Sequence, residues 1–184
     1  MAAVGGMVGN ARREGGIVKR RELTAFVREV VLPAGPDRVP KLDKRHIRFR
    51  VEYRHSKIHR WGLFALEPIP AGRRVIEYTG ERIDEREAER RSVRPAVYLF
   101  RTGGKWMIDG AVKGSGAEFI NHSCEPNMVA RISRGHIWLV SLRRIEAGEE
   151  LSYNYKLAGG QLMPCRCGAK GCWGYVNPIV EEPR

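Results

Sequence analysis

The 184-residue chain has neither a long hydrophobic run nor a surplus of acidic residues. No apolar run approaches the roughly 20 residues that a membrane-spanning helix needs, and residues 1–16 lack the apolar stretch of a secretory signal. Asp and Glu number 21 against 33 Lys and Arg, which gives a net charge of +12. We therefore expect an intracellular soluble protein that does not contact a membrane.

Cysteine is scarce as well, and its placement is uneven. Three thiols form a C-x-C-x4-C pattern in which glycine eases the turns, and the fourth lies well before them: Cys165, Cys167 and Cys172, then Cys124. Disulfides are unusual in a reduced compartment, whereas four thiolates complete one tetrahedral zinc shell. The spacing predicts one structural zinc ion, with free buried thiols or a labile disulfide as the alternatives.

The basic surplus is concentrated near the N-terminus. Residues 1–60 hold 15 Lys and Arg against 6 Asp and Glu, whereas residues 61–184 hold 18 against 15. A basic arm of this kind favours polyanions such as DNA or RNA. The other reading is a tail that only keeps the protein soluble. The sequence leaves both readings of the N-terminal third open.

Hydrophobic periodicity indicates many short strands and little helix. Alternation of apolar and charged residues predicts a strand over 47–53, and glycine turns predict two hairpins, over 97–109 and 128–142. Apolar residues at helical spacing predict a short helix over 23–31, and a capping pattern predicts another over 84–91. These elements predict a compact, mostly β domain with small sheets and short helices.

Three further segments carry a distinctive combination of side chains. Residues 118–127 read Glu-Phe-Ile-Asn-His-Ser-Cys-Glu-Pro-Asn, residues 148–155 read Gly-Glu-Glu-Leu-Ser-Tyr-Asn-Tyr, and residues 61–65 read Trp-Gly-Leu-Phe-Ala. Each alone has a plain structural reading: a turn with a buried Cys, two aromatic residues on a sheet, and a strand that begins with a buried Trp. Together with the cysteine pattern, they resemble the SET-domain protein lysine methyltransferases, in detail most like the trithorax-type histone methyltransferases.

The resemblance implies a fold and an activity. It implies a SET-domain fold over residues 46–157, with small sheets around a knot-like crossing of the Asn-His-Ser-Cys and Tyr-Asn-Tyr segments. It also implies that residues 158–184 form a zinc-bound post-SET segment. Composition and periodicity, rather than the resemblance, predict that residues 1–45 form a basic, partly disordered extension with a short helix. The implied activity is S-adenosylmethionine-dependent methylation of lysine in a histone tail or another basic chromatin protein. The implied location is the nucleus if the organism is eukaryotic and the cytoplasm otherwise.

The resemblance also carries roles onto particular residues. It implies that Tyr155 is the catalytic tyrosine, that Tyr153 controls how many methyl groups fit, and that Tyr98 lines the site. The remaining assignments are cofactor contacts at Trp61, Gly62, Tyr98, Asn121 and His122, a substrate channel at Tyr78 and Tyr153, and metal ligands at Cys124, Cys165, Cys167 and Cys172. In the family, tyrosine at the position of Tyr153 goes with fewer methyl groups, so we expect mainly mono-methylation.

The chemistry explains why such a site needs tyrosines. A lysine amine attacks a methyl group only when it is neutral, yet its usual pKa is about 10.4, so neutralisation at about pH 7.4 costs about 4 kcal/mol. A narrow aromatic channel desolvates the ammonium and lowers its pKa. The sulfonium of the cofactor, a like charge, lowers the amine pKa further. Hydroxyl and carbonyl groups can then hold the amine in line with the methyl–sulfur bond.

Two positions depart from the family pattern. Arg60 stands where glycine is usual, which is costly if the backbone needs a positive φ there. Asn154 replaces a usual aspartate without removing a tyrosine hydroxyl. Arg60 favours a second hypothesis, a catalytically inactive SET module that binds chromatin or nucleic acid through its basic arm, whereas the intact tyrosines argue against it. A third, weaker hypothesis is a zinc-dependent nucleic-acid-binding protein.

Overall fold

The computed structural model describes residues 40–93, 97–157 and 162–177. The helix predicted over 23–31 lies outside these residues, as does most of the N-terminal extension. The described elements are a 3-10 helix Lys44–His46, β1 Val51–His55, β2 Trp61–Ala65, β3 Arg74–Tyr78, β4 Glu81–Asp84, α1 Glu85–Arg91, β5 Leu99–Gly103, β6 Trp106–Asp109, a 3-10 helix Ala117–Phe119, β7 Asn121–His122, β8 Met128–Ser133, β9 His136–Ser141 and β10 Ser152–Tyr153. None of the described helices has the length and apolar character to cross a membrane.

The helix α1 forms where the sequence places complementary charges. Asp84 caps its start by accepting a hydrogen bond from the backbone N–H of Glu87 at 2.9 Å. Acidic side chains occupy the first turn and basic ones the last, which suits the helix dipole. Arg91 reaches the buried carboxylate of Asp109 at 2.7 Å and ties α1 to β6. The helix predicted over 84–91 is confirmed.

Both predicted hairpins are present, and each turns on glycine. In the β8–β9 hairpin, Arg134 and Gly135 have φ values of 50° and 81°, the left-handed conformation that a tight two-residue turn requires. In the β5–β6 hairpin, Gly103 and Gly104 supply φ values of 118° and 53°. The first strand of that hairpin begins at Leu99 rather than at residue 97. Local turn signals therefore locate the hairpins correctly.

The strand predicted over 47–53 lies further toward the C-terminus. The ladder of β1 begins at residue 51 because its partner β2 offers only five residues for pairing. Ile47 makes an isolated bridge with Ile76 instead. The backbone N–H of Arg48 donates to the carbonyl oxygen of Val75 at 2.9 Å. Residues 47 and 48 thus run along β3, and Arg50, whose carbonyl accepts the backbone N–H of Leu66 at 2.9 Å, leads into the β1–β2 hairpin.

Within the described residues, the strands form three small sheets. β1 pairs with β2, the second sheet has the order β4-β6-β5, and the largest has the order β3-β9-β8-β10-β7. In the largest sheet β10 runs parallel to β7, with Ser152 opposite Asn121 and Tyr153 opposite His122. This parallel pair brings the Asn-His-Ser-Cys and Tyr-Asn-Tyr segments side by side, which is the adjacency that the predicted crossing requires. The predicted mostly β fold with small sheets is confirmed.

The main core joins β2 to the large sheet. Its fully buried side chains include Leu63 from β2, Ile76 from β3 and Leu139 from β9. Ile69 and Ile145 bridge two loops at its edge, because each donates its backbone N–H to the other's carbonyl, at 2.8 and 2.9 Å. The β1–β2 hairpin is therefore fixed against the sheet that contains the parallel β7–β10 pair.

Candidate active site

A hydrogen-bond network centred on Asn121 joins three parts of the chain. The side-chain amide of Asn121 donates to the carbonyl oxygen of Trp61 at 3.0 Å and to the carboxylate of Glu150 at 2.8 Å. That carboxylate also accepts a hydrogen bond from the hydroxyl of Ser56 at 2.8 Å, and this hydroxyl accepts one from the backbone N–H of Ile58 at 2.9 Å. Because Asn121 is buried, the network holds the loop between β1 and β2 against β7.

That loop and the start of β2 carry the first group of predicted cofactor contacts. Trp61 stacks on His55 with ring centroids 4.4 Å apart. Gly62 is buried, and a Cβ at this position would collide with the carboxylate of Glu150. Arg60 has a φ of 41°, the left-handed conformation that glycine adopts with less strain. A side chain at position 62 would therefore displace the Glu150 carboxylate from the Asn121 network, and position 60 holds an arginine at a backbone cost.

Four tyrosines and Phe100 gather beside the parallel β7–β10 pair. Ring centroids are 4.9 Å apart for Tyr153 and Tyr155, and 6.2 Å apart for Phe100 and Tyr153. The ring of Phe100 lies 5.2 Å from that of Tyr78, whose hydroxyl donates to the backbone carbonyl of Tyr98 at 2.7 Å. The structure thus brings together every tyrosine that the sequence assigns to the catalytic site and the channel.

The same tyrosines are held in their neutral form. Burial raises the pKa of Tyr78 and Tyr153 well above the ordinary value, and it also raises the pKa of Tyr98 and Tyr155. The hydroxyl of Tyr155 donates to the backbone carbonyl of Ile120 at 2.9 Å. The pocket therefore offers uncharged hydroxyl and carbonyl groups in surroundings that exclude most water.

His122 links this pocket to the cysteines. Its ring lies 5.4 Å from that of Tyr155, and its Nδ1 accepts the backbone N–H of Tyr155 at 3.3 Å. The neutral ring therefore carries its proton on Nε2, which lies 3.5 Å from the sulfur of Cys124. Burial lowers the pKa of His122 to about 4. The imidazole is thus an uncharged connection between the tyrosines and the first cysteine.

Two carboxyl groups that sequence reasoning missed also lie at the site. One is Glu150, the acceptor at the centre of the Asn121 network. The other is Glu118, whose carboxylate accepts the backbone N–H of Gly116 at 2.9 Å. Burial raises the pKa of Glu118 to about 7, although backbone hydrogen bonds act in the opposite direction. The available signal was an acidic residue inside each motif, at the start of 118–127 and within 148–155.

The four cysteines converge, although they come from two distant parts of the chain. All four sulfur atoms lie within 4.8 Å of one another. The sulfur of Cys124 is 3.8 Å from that of Cys165 and 3.9 Å from that of Cys172. The carboxylate of Glu125 accepts the backbone N–H of Gly171 at 3.0 Å and helps hold the C-terminal segment to the same turn. Cys124 therefore joins the three thiols of the C-x-C-x4-C pattern.

This cysteine cluster fits a zinc ion in number, chemistry and spacing. Four sulfur ligands at about 2.3 Å from a tetrahedral zinc ion lie about 3.8 Å from one another, close to the separations between Cys124 and its neighbours. The cysteines are free thiols rather than a disulfide pair. Burial opposes the ionisation of Cys167, but backbone N–H groups and the neighbouring thiols outweigh it and lower the pKa of Cys167 to about 6. A thiolate near neutral pH is the form that binds zinc.

The family follows from comparison with known proteins. A family model described as SET domain matches residues 60–156, a span that contains the Asn121 network, the tyrosine pocket and Cys124. The chain belongs to the SET-domain family.

Curated relatives carry histone methyltransferase names. The H3 lysine-4 specific histone-lysine N-methyltransferase of Saccharomyces cerevisiae is 43% identical over 141 residues, which are 69% of this chain and 13% of the relative. That of Schizosaccharomyces pombe is 40% identical over 171 residues, or 87% of this chain and 19% of the relative. The histone-lysine N-methyltransferase ATXR7 of Arabidopsis thaliana is 41% identical over 151 residues, or 76% and 10%. This chain spans less than a fifth of the length of these relatives.

Solved structures agree with the family assignment. Arabidopsis thaliana SUVH6 in complex with SAM superposes with a TM-score of 0.65 at 29% identity, covering 72% of this chain and 34% of that one. KRYPTONITE in complex with mCHH DNA, an H3(1-15) peptide and SAH gives a TM-score of 0.61 at 28% identity, covering 71% and 30%. The predicted SET-domain fold is thereby confirmed.

Proposed function

We propose that this chain is an S-adenosylmethionine-dependent protein-lysine N-methyltransferase that acts on a histone tail or another basic chromatin protein. The observation that carries the proposal is the pair of buried Tyr153 and half-buried Tyr155, 4.9 Å apart and directly against Asn121 and His122. An enzyme that methylates an amine must strip water from a cation, and this pocket consists of neutral phenols that are buried or half-buried. The names of the relatives support the substrate class, which would place a eukaryotic protein of this kind in the nucleus.

Tyr155 would hold the substrate amine. Its hydroxyl proton is engaged by the carbonyl of Ile120, so the hydroxyl oxygen is left to accept an N–H from an incoming amine. Tyr78 and Tyr98, joined by the 2.7 Å hydrogen bond, would form another part of the channel wall and exclude water. An ammonium that enters this channel has a lowered pKa and loses its proton more readily, which frees the lone pair for attack.

The residues present also fit S-adenosylmethionine, a molecule with zwitterionic, aromatic and sulfonium parts. The carbonyl groups of His59 and Trp61 converge on the side-chain amide of Asn121, which sets polar backbone next to the tyrosines. Trp173 is 52% exposed, so its ring is free to stack on an adenine. When bound, S-adenosylmethionine supplies a methyl group on a positively charged sulfur. Trp61, Gly62, Tyr98, Asn121 and His122 would hold it.

The cysteine cluster would hold one structural zinc ion. Such an ion would tie residues 162–177 to the turn that contains Cys124, and so to the tyrosine pocket through His122. Its contribution would be to folding rather than to methyl transfer, because four thiolates fill a tetrahedral shell and leave no open position.

Tyr153 would limit the product to the mono-methylated amine. Its ring is buried between Phe100 and Tyr155, and its hydroxyl occupies space that an amine carrying further methyl groups would need. Mass spectrometry of the reaction product should therefore show mainly mono-methyl-lysine. Dominant trimethyl-lysine would contradict this assignment while leaving methyl transfer itself intact.

The experiment that tests the function compares two tyrosine variants of the full chain. Labelled S-adenosylmethionine and mixed histones are incubated with wild type, with Tyr155→Phe and with Tyr175→Phe, the last being an exposed tyrosine outside the pocket. We expect label on histone with wild type and Tyr175→Phe, and a loss of about a hundredfold with Tyr155→Phe because the amine is no longer positioned. Equal activity of wild type and Tyr155→Phe would overturn the assignment.

One observation favours a second candidate, a catalytically inactive SET module that binds chromatin or nucleic acid. The left-handed backbone at Arg60 shows that the arginine occupies a position suited to glycine, at the edge of the proposed cofactor site. Under this alternative, no histone carries label although the protein binds its target. The contact with nucleic acid predicted for residues 1–60 stays a prediction, since most of that segment lies outside the described residues.

A further inference from the structure

The outward face of the large sheet carries a cluster of arginines around one tryptophan. The guanidinium carbons of Arg48 and Arg74 each lie 5.4 Å from the centroid of the Trp138 ring. Arg131 lies directly opposite Trp138 in the β8–β9 ladder and therefore on the same face. Arg73 lines the same groove as Arg48 and Arg74. We refer to Arg48, Arg73, Arg74 and Arg131 as the arginine face.

The charges of the arginine face are not compensated within the described part of the chain. Several arginines elsewhere pair with carboxylates, as Arg90 does with Glu87 at 2.8 Å and Arg144 with Glu146 at 2.6 Å. The four side chains of the arginine face are exposed, and their guanidinium groups form neither an ion pair nor a hydrogen bond with any described residue. Four positive charges are thus held together in solvent.

The acidic residue on this face is already engaged. Glu77 lies opposite Trp138 in the β3–β9 ladder, but its two carboxylate oxygens contact the ring nitrogens of His46 at 3.0 Å and His136 at 2.5 Å. Burial raises the pKa of Glu77, but the hydrogen bonds with the two histidines outweigh it and lower that pKa. The carboxylate is therefore directed at the imidazoles and leaves the guanidinium groups available to a ligand.

We propose that the arginine face binds the phosphate backbone of duplex DNA without reading its sequence. A guanidinium group donates two parallel hydrogen bonds to a phosphate, and stacking on an indole keeps its plane ordered while its edges stay open. The groove at this face has a volume of about 550 Å³ and is lined by Arg48, Phe49, Gly72, Arg73 and Arg74. The net charge of +12 attracts the same polyanion from a distance.

The composition of the face favours nucleic acid over an acidic protein. Interfaces between proteins have an apolar centre surrounded by a polar rim. The exposed large hydrophobic side chains of the described residues are Leu66, Val93, Leu142, Leu162, Trp173 and Tyr175, and none belongs to the arginine face. Trp138 is itself buried and serves as a platform for the arginines rather than as an apolar contact. The apolar rings at this face, Trp138 and Phe49, are buried and half-buried, so the groups presented to a ligand are guanidinium groups, which commonly contact phosphate.

The arginine face lies on the outward side of the large sheet, and the tyrosine pocket lies on its core side. Side chains alternate along β3, so Glu77 lies with Trp138 on the outward side, whereas Ile76 and Tyr78 belong to the core. DNA bound there would leave the pocket open to a lysine side chain. The inference does not depend on methyl transfer, because DNA binding can be measured without a methyl donor.

The test uses the full chain and two quadruple variants of equal charge. One replaces the arginine face (Arg48→Gln, Arg73→Gln, Arg74→Gln and Arg131→Gln). The control replaces four arginines that pair with carboxylates (Arg54→Gln, Arg90→Gln, Arg101→Gln and Arg144→Gln). Fluorescence anisotropy with a labelled DNA duplex of arbitrary sequence gives the Kd over a series of salt concentrations. Circular dichroism checks that each variant is folded.

For the arginine-face variant we expect the salt slope of log Kd to decrease by about four and affinity at about 0.1 M salt to fall at least about tenfold. For the control we expect a change below about threefold. The guanidinium group of Arg131 forms no ion pair or hydrogen bond with a described residue. The single change Arg131→Gln should therefore leave the sheet folded and lower the salt slope of log Kd by about one. Equal losses in the two quadruple variants would overturn the proposal, because net charge alone would then explain binding.

Two further outcomes also decide the matter. In the first, polyglutamate competes with DNA for the protein at equal charge concentration. If polyglutamate displaces the DNA, an acidic protein is an equivalent ligand and the assignment to nucleic acid is overturned. Methylation of a free histone peptide by the arginine-face variant should match wild type. A peptide that loses methylation in this variant, beside an active control variant, would contradict the separation of the two sites.

Discussion

The two ends of the five-stranded sheet handle charge in opposite ways. At the β7–β10 end, burial keeps Tyr153, Tyr155 and His122 in their uncharged forms. At the β3–β9–β8 end, Arg74 and Arg131 display permanent charges to solvent. The strands are continuous with one another in a single sheet, so the contrast arises from what each strand places on its exposed or buried face.

Under the two proposals made above, one small sheet serves two purposes. A neutral pocket lowers the pKa of an ammonium that enters it, and any charge placed in its wall would counteract or distort that effect. A cationic face attracts a polyanion over a distance of about 10 Å at moderate salt. Charges that would harm the tyrosine pocket are useful on the arginine face, and the sheet itself separates them, because the pocket lies on the core side and the arginines on the outward side. The variants below test how the neutral end is maintained.

The largest effect is expected from disrupting the cysteine cluster, which lies next to the tyrosine pocket through His122. Cys172→Ser removes one of four ligands, so zinc content should fall from one ion per chain to none, and methyl transfer should fall about a hundredfold or more as residues 162–177 lose their anchor. Metal analysis of freshly purified protein and the histone assay measure the two losses. Ser133→Ala, a change outside the cluster, is the control. A Cys172→Ser variant that retained a full complement of zinc would refute the four-thiol site.

A smaller effect is expected from the Glu150 carboxylate, which holds the loop between β1 and β2 against β7. Glu150→Gln replaces a charged acceptor that serves both Ser56 and Asn121, and the free energy of unfolding should fall by about 3 kcal/mol because buried donors lose a charged partner. Under the proposed function, the loop between β1 and β2 would position the cofactor rather than the amine, so the KM for the methyl donor should rise about tenfold with a smaller change in kcat. Steady-state kinetics and urea unfolding check both effects. The exposed change Glu52→Gln should alter neither quantity, and an unchanged KM for Glu150→Gln would remove the residue from this role.

Glu118 is a carboxyl group that can ionise beside the tyrosine pocket. Replacing it with an uncharged residue should make the pocket more strictly neutral. The pKa of Glu118 in the folded protein is about 7 against an ordinary 4.5, so between these values the folded state binds more protons than the unfolded state and stability falls as pH rises. Glu118→Gln should therefore be more stable than wild type above about pH 7, by about 2 kcal/mol after allowance for solvent screening. Below about pH 4.5 this advantage should vanish.

Thermal unfolding over a series of pH values checks this prediction. Glu146→Gln, at an exposed carboxylate paired with Arg144, is the control and should show no advantage that grows with pH. Equal stability of wild type and Glu118→Gln at about pH 8 would mean that the carboxyl ionises without cost and that the pocket is wetter than proposed.

Sequence reasoning reached the local elements and the motif residues, and it missed what depends on tertiary pairing. The helix α1 and the β8–β9 turn follow from signals within a few residues, and the tyrosine pair follows from a known motif. The hydrogen bond between Ser56 and Glu150 joins residues 94 positions apart, and no short pattern contains both. The arginine face depends on the register that sets Arg131 opposite Trp138, which becomes visible only when the sheet is assembled.

The smallest effect is expected at Arg60, a positively charged residue close enough to the neutral pocket to act on it. Its charge acts on Tyr98 and His59, which both belong to the neutral end, and its φ of 41° is strained for any residue with a side chain. Arg60→Gly relieves the strain but gains flexibility in the unfolded state, so stability should rise by about 0.5 kcal/mol. Arg134→Gly, with a φ of 50° in the distant β8–β9 turn, is the matched control and should give a similar gain.

Under the proposed function, methyl transfer by Arg60→Gly should stay within about threefold of wild type, because the Asn121 network holds the loop from the other side. A rise from no activity to measurable histone methylation would instead show that the natural chain is the inactive module and that its arginine blocks the cofactor site.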